Sequence, residues 1–405
     1  MTDYNEKVKQ FIYKGVNEKP VQAGRDSFWD ALAATGTELW LDTGDIEEAE
    51  ANWCAGMSAL TTNNTLLNNE IQKGIYDDFI SEALGIVSWM PEEERVREIA
   101  FILNARHGVR LAARFGGLVS VELHTDTADD IDAIVGYGKR FHDILPESFI
   151  VKVPLTASGL IGARLLRDAG VKINFTLEFS ARQNALVTLI TRPDYLNVFL
   201  GRIGAYIADN GLGDGAGAGE KSVISTQRWV TKLSKENPHS TRLIAASLRH
   251  YTQLDLLAGT DIFTMPPKVA AEGRRQLDGN FRSRLNEEYS AGINSEAVSS
   301  GVNKFWDVDD AVPAFGCAMS EALPARGHEL EELARKAGLG DIFPELTAAE
   351  MAIVESDGKI PRYEHWKERL TSGTIAPDTL LTLAGLASFA ADQRRLDERI
   401  AGIIF

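Results

Sequence analysis

Short apolar runs alternate with helix-patterned segments along most of this chain, and that alternation restricts the fold more than any other feature. The runs are Leu39-Trp40-Leu41-Asp42, Ala59-Leu60-Thr61-Thr62-Asn63 and residues 118–123, 149–155, 171–177, 195–200, 241–247 and 261–265. Segments between them carry amphipathic helical periodicity, as in 127–145 and 158–168. Repeated strand–helix units build a parallel sheet with both faces covered. Eight such units predict an α/β fold, a closed (β/α)8 TIM barrel with additional N-terminal and C-terminal helices. An open doubly wound sheet is the alternative. It is weakened because no dinucleotide or mononucleotide glycine fingerprint follows the first run.

The pattern divides the chain into an N-terminal helical segment (1–36), a barrel (37–280) and a C-terminal helical extension packed on it (281–405). Between the second and third strands the spacing predicts two helices, 67–84 and 91–114. After Pro266-Pro267 it predicts helices over 268–286, 326–337, 348–356, 362–371 and 377–401. The glycine-rich stretch 211–219 reads either as a phosphate cradle or as a flexible surface loop. The closing signature of a phosphate loop is missing, which favours the surface loop.

Composition excludes several classes of function. The 405 residues are 44% hydrophobic, enough for a full core, and carry 42 basic and 58 acidic side chains for a net charge of −16. That balance argues against nucleic acid or an anionic membrane as a general partner, while leaving room for a local basic pocket. No run of about 18 apolar residues predicts a membrane span. The start, Met1-Thr2-Asp3-Tyr4-Asn5-Glu6, lacks the basic and apolar stretches of a signal peptide. Two cysteines, Cys54 and Cys317, are too few for a disulfide framework, and a cytoplasmic location is expected. Cys54 reads as a core residue on a helix. His107, His124 and His142 are too scattered for a metal site, so neither a metal nor a cofactor is expected.

Lys152 interrupts the apolar run Phe149-Ile150-Val151-Lys152-Val153-Pro154-Leu155. Burying an ammonium without a partner is costly, and such a group tends to lose its proton. A neutral lysine is a nucleophile that forms a Schiff base with a carbonyl. The other reading is a lysine paired with a buried carboxylate, or one reaching water at a strand end. Other polar residues interrupt the runs where barrel active sites lie, at the C-terminal strand ends. They are Asp42, Asn63, Glu122, Asn174, Thr176 and Asn197, with Phe199, Ser247 and Arg249 beside them. Positions i and i+2 of a strand share one face, so these side chains converge.

Six segments, in order between residues 36 and 270, resemble the transaldolase family. They are Leu41-Asp42-Thr43-Gly44-Asp45-Ile46, Thr61-Thr62-Asn63, Val151-Lys152-Val153-Pro154, Asn174-Phe175-Thr176-Leu177-Glu178-Phe179-Ser180, Phe199-Leu200-Gly201-Arg202-Ile203 and Ala246-Ser247-Leu248-Arg249. Phe389-Ala390-Ala391-Asp392-Gln393 resembles the family's final helix. The resemblance implies a class I enzyme of the pentose phosphate pathway. Such an enzyme moves a dihydroxyacetone unit from fructose 6-phosphate or sedoheptulose 7-phosphate to erythrose 4-phosphate or glyceraldehyde 3-phosphate.

The resemblance also implies roles. Lys152 would form the imine, and Asp42 would be the acid/base of C3–C4 cleavage. Glu122, with a water held by Thr176, would shuttle protons. Asn63, Asn174 and Asn197 would face the donor. Arg202, Ser247 and Arg249 would bind the terminal phosphate, and Phe199 would wall off water. A related branch that performs plain aldol chemistry with free dihydroxyacetone carries glutamine at the position of Glu122 and tyrosine at that of Phe199. This chain therefore resembles the group-transferring branch.

Two departures stand out. Asn64 replaces the family's proline, and Asn197 replaces a serine that touches the donor C1 hydroxyl. A transaldolase-like aldolase acting on a modified sugar therefore stays open, as does a non-catalytic sugar-phosphate-binding barrel. The expected partners are small-molecule sugar phosphates, and either a monomer or a homodimer is compatible with the sequence.

Overall fold

In the computed structural model, which describes residues 2–235 and 240–405, the expected barrel forms. Its strands are β1 (Glu38–Asp42), β2 (Met57–Thr61), β3 (Leu118–Glu122), β4 (Phe149–Pro154), β5 (Ile173–Thr176), β6 (Tyr195–Phe199), β7 (Arg242–Ala246) and β8 (Ile262–Met265). They pair in sequence order, all parallel, and β8 closes onto β1. Alternate residues of each strand point inward. The inward set forms its own small core of Trp40, Ala59, Ile150, Ile244, Ala246 and Ile262. The intervening residues, such as Leu39, Leu41, Val151, Val153 and Phe175, join the larger core under the helices. Trp40 fills the floor of the barrel, its indole N–H donating to Glu38 Oε1 at 2.8 Å and its ring edge-on to Tyr195 at 4.9 Å. The packed floor leaves the C-terminal strand ends as the open side.

Several helices differ from the sequence expectation. Three helices, not two, connect β2 to β3: Asn64–Gln72, Asp77–Val87 and Glu92–Phe115. The helix after β8 covers Pro267–Gln276 and does not run to 286. Beyond it the backbone bonds outward to the barrel loops, with Arg284 N donating to Ala258 O at 2.7 Å and Gly292 N to Ala216 O at 2.8 Å. The helix Ala311–Glu321 was not expected from the sequence, and it holds Pro313 in its first turn. In a first turn the missing N–H has no helical partner to lose. Cys54 is buried in the core but lies just beyond the helix Ile46–Asn52.

The glycine-rich stretch is not a loose loop. Gly215 N donates to Gly292 O at 3.0 Å, which together with the Gly292–Ala216 bond pins the two segments to each other. At Gly213, with φ of 147°, a Cβ would sit 2.1 Å from Gly292 O, so the approach requires glycine.

The long C-terminal helix, Pro377–Ile404, buries Leu380, Leu381, Ala384, Phe389, Leu396 and Ile400. A buried ionic network anchors its first turn. Arg182, on the helix after β5, donates from Nε and Nη2 to Asp378 at 2.8 and 2.7 Å and from Nη1 to Asp341 at 2.8 Å. Ser180 Oγ also donates to Asp378, at 2.7 Å, and Lys304 Nζ to Asp341, at 2.6 Å. No helix among the described residues is long and apolar enough to cross a membrane.

Candidate active site

Strand register brings the charged centre together. Glu122 on β3 pairs with Lys152 on β4, and Lys152 pairs with Asn174 on β5. Residues level with one another on neighbouring parallel strands point the same way, so the three side chains form one inward row. Lys152 and Glu122 are only 3% and 4% exposed. Lys152 Nζ lies 3.8 Å from Glu122 Oε2 and donates to Thr62 O at 2.9 Å, just past β2. The geometry is a buried amine beside a buried carboxyl.

Glu122 is pushed up to about 6, chiefly by burial, with repulsion from Asp42 adding and attraction to Lys152 opposing. Among the described residues its Oε2 has no hydrogen-bond partner, and neither has Thr176 Oγ1. Asp42, at the end of β1, keeps some access to the mouth and accepts from Thr61 Oγ1 at 2.7 Å. Burial raises its carboxyl above the usual range, against the pull of Lys152, the Thr61 hydroxyl and Arg249. The centre therefore holds two carboxyls held above their ordinary range, an amine and an unsatisfied hydroxyl. The Glu122 carboxyl, raised to about 6, can both give and take a proton near neutral pH.

The amides divide into two groups. Asn174 Nδ2 donates to Ser120 Oγ at 3.0 Å, and Asn174 Oδ1 accepts from Asn197 Nδ2 at 2.7 Å. Asn197 Nδ2 also donates to Phe175 O, so both of its N–H groups are used inside the protein. Asn63 lies past the end of β2 and caps the helix Asn64–Gln72, its Oδ1 accepting from Leu66 N at 2.8 Å. Asn64 is buried, with Nδ2 unpartnered. Proline at that position would lack the backbone N–H that helps hold Glu122 down.

The cationic residues gather at the β6 and β7 ends. Arg202 lies in the first turn of the helix Leu200–Asp209, nearly fully buried, with Nη1 unpartnered. It sits 5.6 Å from the centre of the Phe199 ring and 5.8 Å from that of Phe389. Burial, then repulsion from Arg249, lowers it to about 10. Ser247 and Arg249 follow β7, Ser247 in a left-handed conformation with φ of 60°. Gly201 makes the juxtaposition: a Cβ there would stand 2.3 Å from Ser247 O and 2.4 Å from Arg249 Cγ. Arg249 itself is exposed, and its backbone N–H donates to Gln253 Oε1 at 2.8 Å. Phe199 is partly exposed, with the Phe179 ring 5.7 Å behind it.

Of the eleven expected residues, Asp42, Glu122, Thr176 and Phe199 end their strands, Lys152, Asn174 and Asn197 lie within β4, β5 and β6, and Asn63, Arg202, Ser247 and Arg249 follow β2, β6 and β7; Asn197 Nδ2 is used inside the protein and Asn63 Oδ1 in a helix cap. Sequence reasoning missed Ser120 and Glu178. Glu178 is fully buried, and burial raises it well above the usual range against the pull of the backbone N–H groups of Glu178 and Asn197. A carboxylate inside an otherwise apolar run, Leu177-Glu178-Phe179, was the available signal. His124 is hydrogen-bonded, with Nε2 3.2 Å from Asp397 Oδ2 and Nδ1 accepting from Asp126 N. Among the described residues no group of three or more His, Cys, Asp or Glu is placed to hold a metal ion.

Residues 39–310 match the family model described as transaldolase/fructose-6-phosphate aldolase. A probable transaldolase of Thermus thermophilus is 32% identical over 237 residues, covering 57% of this chain and 88% of the relative. A transaldolase of Xanthomonas oryzae pv. oryzae is 29% identical over 259 residues, covering 60% and 79%. A transaldolase of Prochlorococcus marinus is 27% identical over 269 residues, covering 62% and 78%.

Proposed function

Because the chain belongs to the transaldolase/fructose-6-phosphate aldolase family, we propose that it is a transaldolase, a transferase of three-carbon dihydroxyacetone units between sugar phosphates. The donors would be fructose 6-phosphate or sedoheptulose 7-phosphate, and the acceptors erythrose 4-phosphate or glyceraldehyde 3-phosphate. The observation that carries this reading is the buried Lys152 amine 3.8 Å from a carboxyl held near pKa 6.

In the proposed mechanism Lys152 Nζ adds to the C2 carbonyl of the ketose. Glu122, through a water held by the free Thr176 hydroxyl, takes the proton from nitrogen and returns one to the departing hydroxyl, so that water leaves and an imine forms. Asp42 accepts the proton of the C4 hydroxyl as the C3–C4 bond breaks. Electrons flow into the iminium, and an enamine is left on Lys152. The aldose departs, a second aldehyde takes its place, and the steps reverse with Asp42 now donating. Phe199 keeps ordered water from the enamine, and Arg202, Ser247 and Arg249 hold the terminal phosphate.

A second reading, transfer from a modified donor sugar, draws on Asn197. A serine offers a hydroxyl both a donor and an acceptor, whereas Asn197 has only Oδ1 left.

Borohydride reduction in the presence of fructose 6-phosphate tests the covalent step. Labelling and turnover are expected in the parent, and both should vanish in Lys152→Ala. Labelling that persists at another lysine refutes the assignment, and a parent that is never labelled points to a non-catalytic sugar-phosphate barrel.

A further inference from the structure

His107 is a buried titratable group that the proposed chemistry leaves unused. It lies on the helix Glu92–Phe115, behind β3, and is 1% exposed. Its Nε2 stands 2.8 Å from Gly44 O, and its Nδ1 2.9 Å from the Tyr76 hydroxyl. A carbonyl can only accept, so Nε2 carries the proton and donates to Gly44 O. Nδ1 is then an acceptor, and the Tyr76 hydroxyl donates to it. The Tyr76 oxygen in turn accepts from Arg110 Nη1 at 2.9 Å, and Arg110 Nε donates to Glu18 Oε1 at 2.6 Å. The donors of Arg110, Tyr76 and His107 thus line up in one direction, ending at Gly44. Burial, with repulsion from Arg110 and Lys73 adding and the Gly44 carbonyl opposing, lowers His107 from 6.5 to about 4. The ring is therefore neutral at neutral pH, with its tautomer set by its two partners.

Gly44 lies two residues beyond Asp42, the last residue of β1. The strand pairing ends there, with Asp42 level with Thr61. Past that point the loop Thr43-Gly44-Asp45 bonds mostly to itself and to the helix it opens. Thr43 Oγ1 accepts from Asp45 N at 3.1 Å and donates to Glu48 Oε2 at 3.2 Å, and Asp45 caps the helix Ile46–Asn52. Lys73 reaches the Asp45 carboxylate at the surface. The bond from His107 is different, because it is buried and ties the loop to a helix 63 residues away in the chain. Removing it would strand a buried carbonyl without a donor, and the loop would have to move to relieve that cost.

We propose that His107 is a positioning residue for Asp42: through Gly44 O it holds the loop that closes β1, and so sets where the Asp42 carboxyl stands when it meets the C4 hydroxyl of the donor. The inference rests on the acid/base reading of Asp42. The imine steps belong to Lys152, Glu122 and Thr176 on β3, β4 and β5, whereas both ring nitrogens of His107 are spent on Gly44 and Tyr76. Loss of His107 should therefore slow C3–C4 cleavage and spare imine formation. The same chain of donors links Glu18, in the segment before the barrel, to the loop beside the catalytic aspartate.

Borohydride trapping with saturating fructose 6-phosphate counts the sites that form the imine, and transfer to an aldose phosphate divided by that count isolates the later steps. In His107→Leu labelling should stay at the parental level, while transfer per labelled site falls by roughly ten- to a hundredfold, the scale of a catalytic group displaced by a fraction of an ångström to one ångström. His107→Gln, which keeps an N–H for Gly44 O, should recover most of the loss. Asp42→Asn should be labelled and fail to transfer. Parental transfer per labelled site in His107→Leu, or labelling and transfer that fall in step, overturns the positioning role and leaves Asp42 standing. Normal transfer in Asp42→Asn overturns the reading of Asp42 itself. Should His107→Leu not fold, Tyr76→Phe decides, since it keeps the ring packing and removes the hydroxyl that fixes the tautomer. Transfer per labelled site should then fall at least threefold, and a parental value overturns the proposal.

Discussion

Replacing Glu122 by glutamine should change how the stability of the protein depends on pH, by an amount that follows from its surroundings. The Glu122 carboxyl is pushed from an ordinary 4.5 to about 6 by burial, with Asp42 adding and Lys152 opposing. A carboxyl whose folded pKa lies above its unfolded value favours the fold when protonated. That contribution is complete below about pH 4.5 and is lost as pH rises from there through 6. At about 1.4 kcal/mol per pKa unit, the loss is about 2 kcal/mol. The amide that replaces the carboxyl cannot ionise, so the variant does not lose it. Urea unfolding of both proteins at intervals from pH 4 to 7.5 gives the comparison. The stability of the variant relative to the parent should rise by about 2 kcal/mol across the window, most of it between about pH 4.5 and 6. Taking the difference removes titrations common to both proteins. A difference that stays flat across the window would show that Glu122 is not held in the protonated range and that the reasoning from burial is wrong. The same carboxylate serves the proposed proton shuttle, so an acid limb in kcat/KM near pH 6 should accompany it in the parent.

Glu122→Gln combined with Phe199→Tyr should shift transfer toward plain aldol cleavage, because the tyrosine hydroxyl brings a group that orients water beside the enamine. Release of free dihydroxyacetone from fructose 6-phosphate without acceptor measures it, and no rise in a folded double variant would locate the partition elsewhere. Arg182→Met should cost about 3–5 kcal/mol in urea unfolding, since it strips the fully buried Asp378 of its main counter-charge while Asp341 keeps Lys304. A loss under about 1 kcal/mol would mean the network relaxes onto water.

The strand–helix rhythm carried the barrel because periodicity is a local property. A run such as Val151-Lys152-Val153 reads as a buried strand whatever lies around it, and eight of them leave few topologies. The polar residues that break the runs were legible for the same reason. A lysine or glutamate among apolar neighbours needs a special environment, and Asp42, Glu122 and Thr176 end their strands while Lys152 lies within β4, level with Glu122. Glu178 carries the same signal, but its neighbours form a recognisable segment in which one more carboxylate does not stand out.

The helices beyond the barrel were less legible, because tertiary contacts set their limits. The backbone after Gln276 leaves the helix to bond with the loops at Ala216 and Ala258, and nothing within 277–294 announces those partners. The glycine stretch likewise looks loose until its counterpart at Gly292 is known. The distances that matter most at the site were also beyond the sequence. Register alone brings Glu122 level with Lys152, and only close packing at Gly201 sets Arg202 beside Arg249. What the sequence determined was which side chains could not be comfortable in a core. Which of them face one another, and which charge is left without a partner, was decided by how parallel strands register and how the C-terminal helices close over the mouth, because both depend on contacts between residues far apart in the chain.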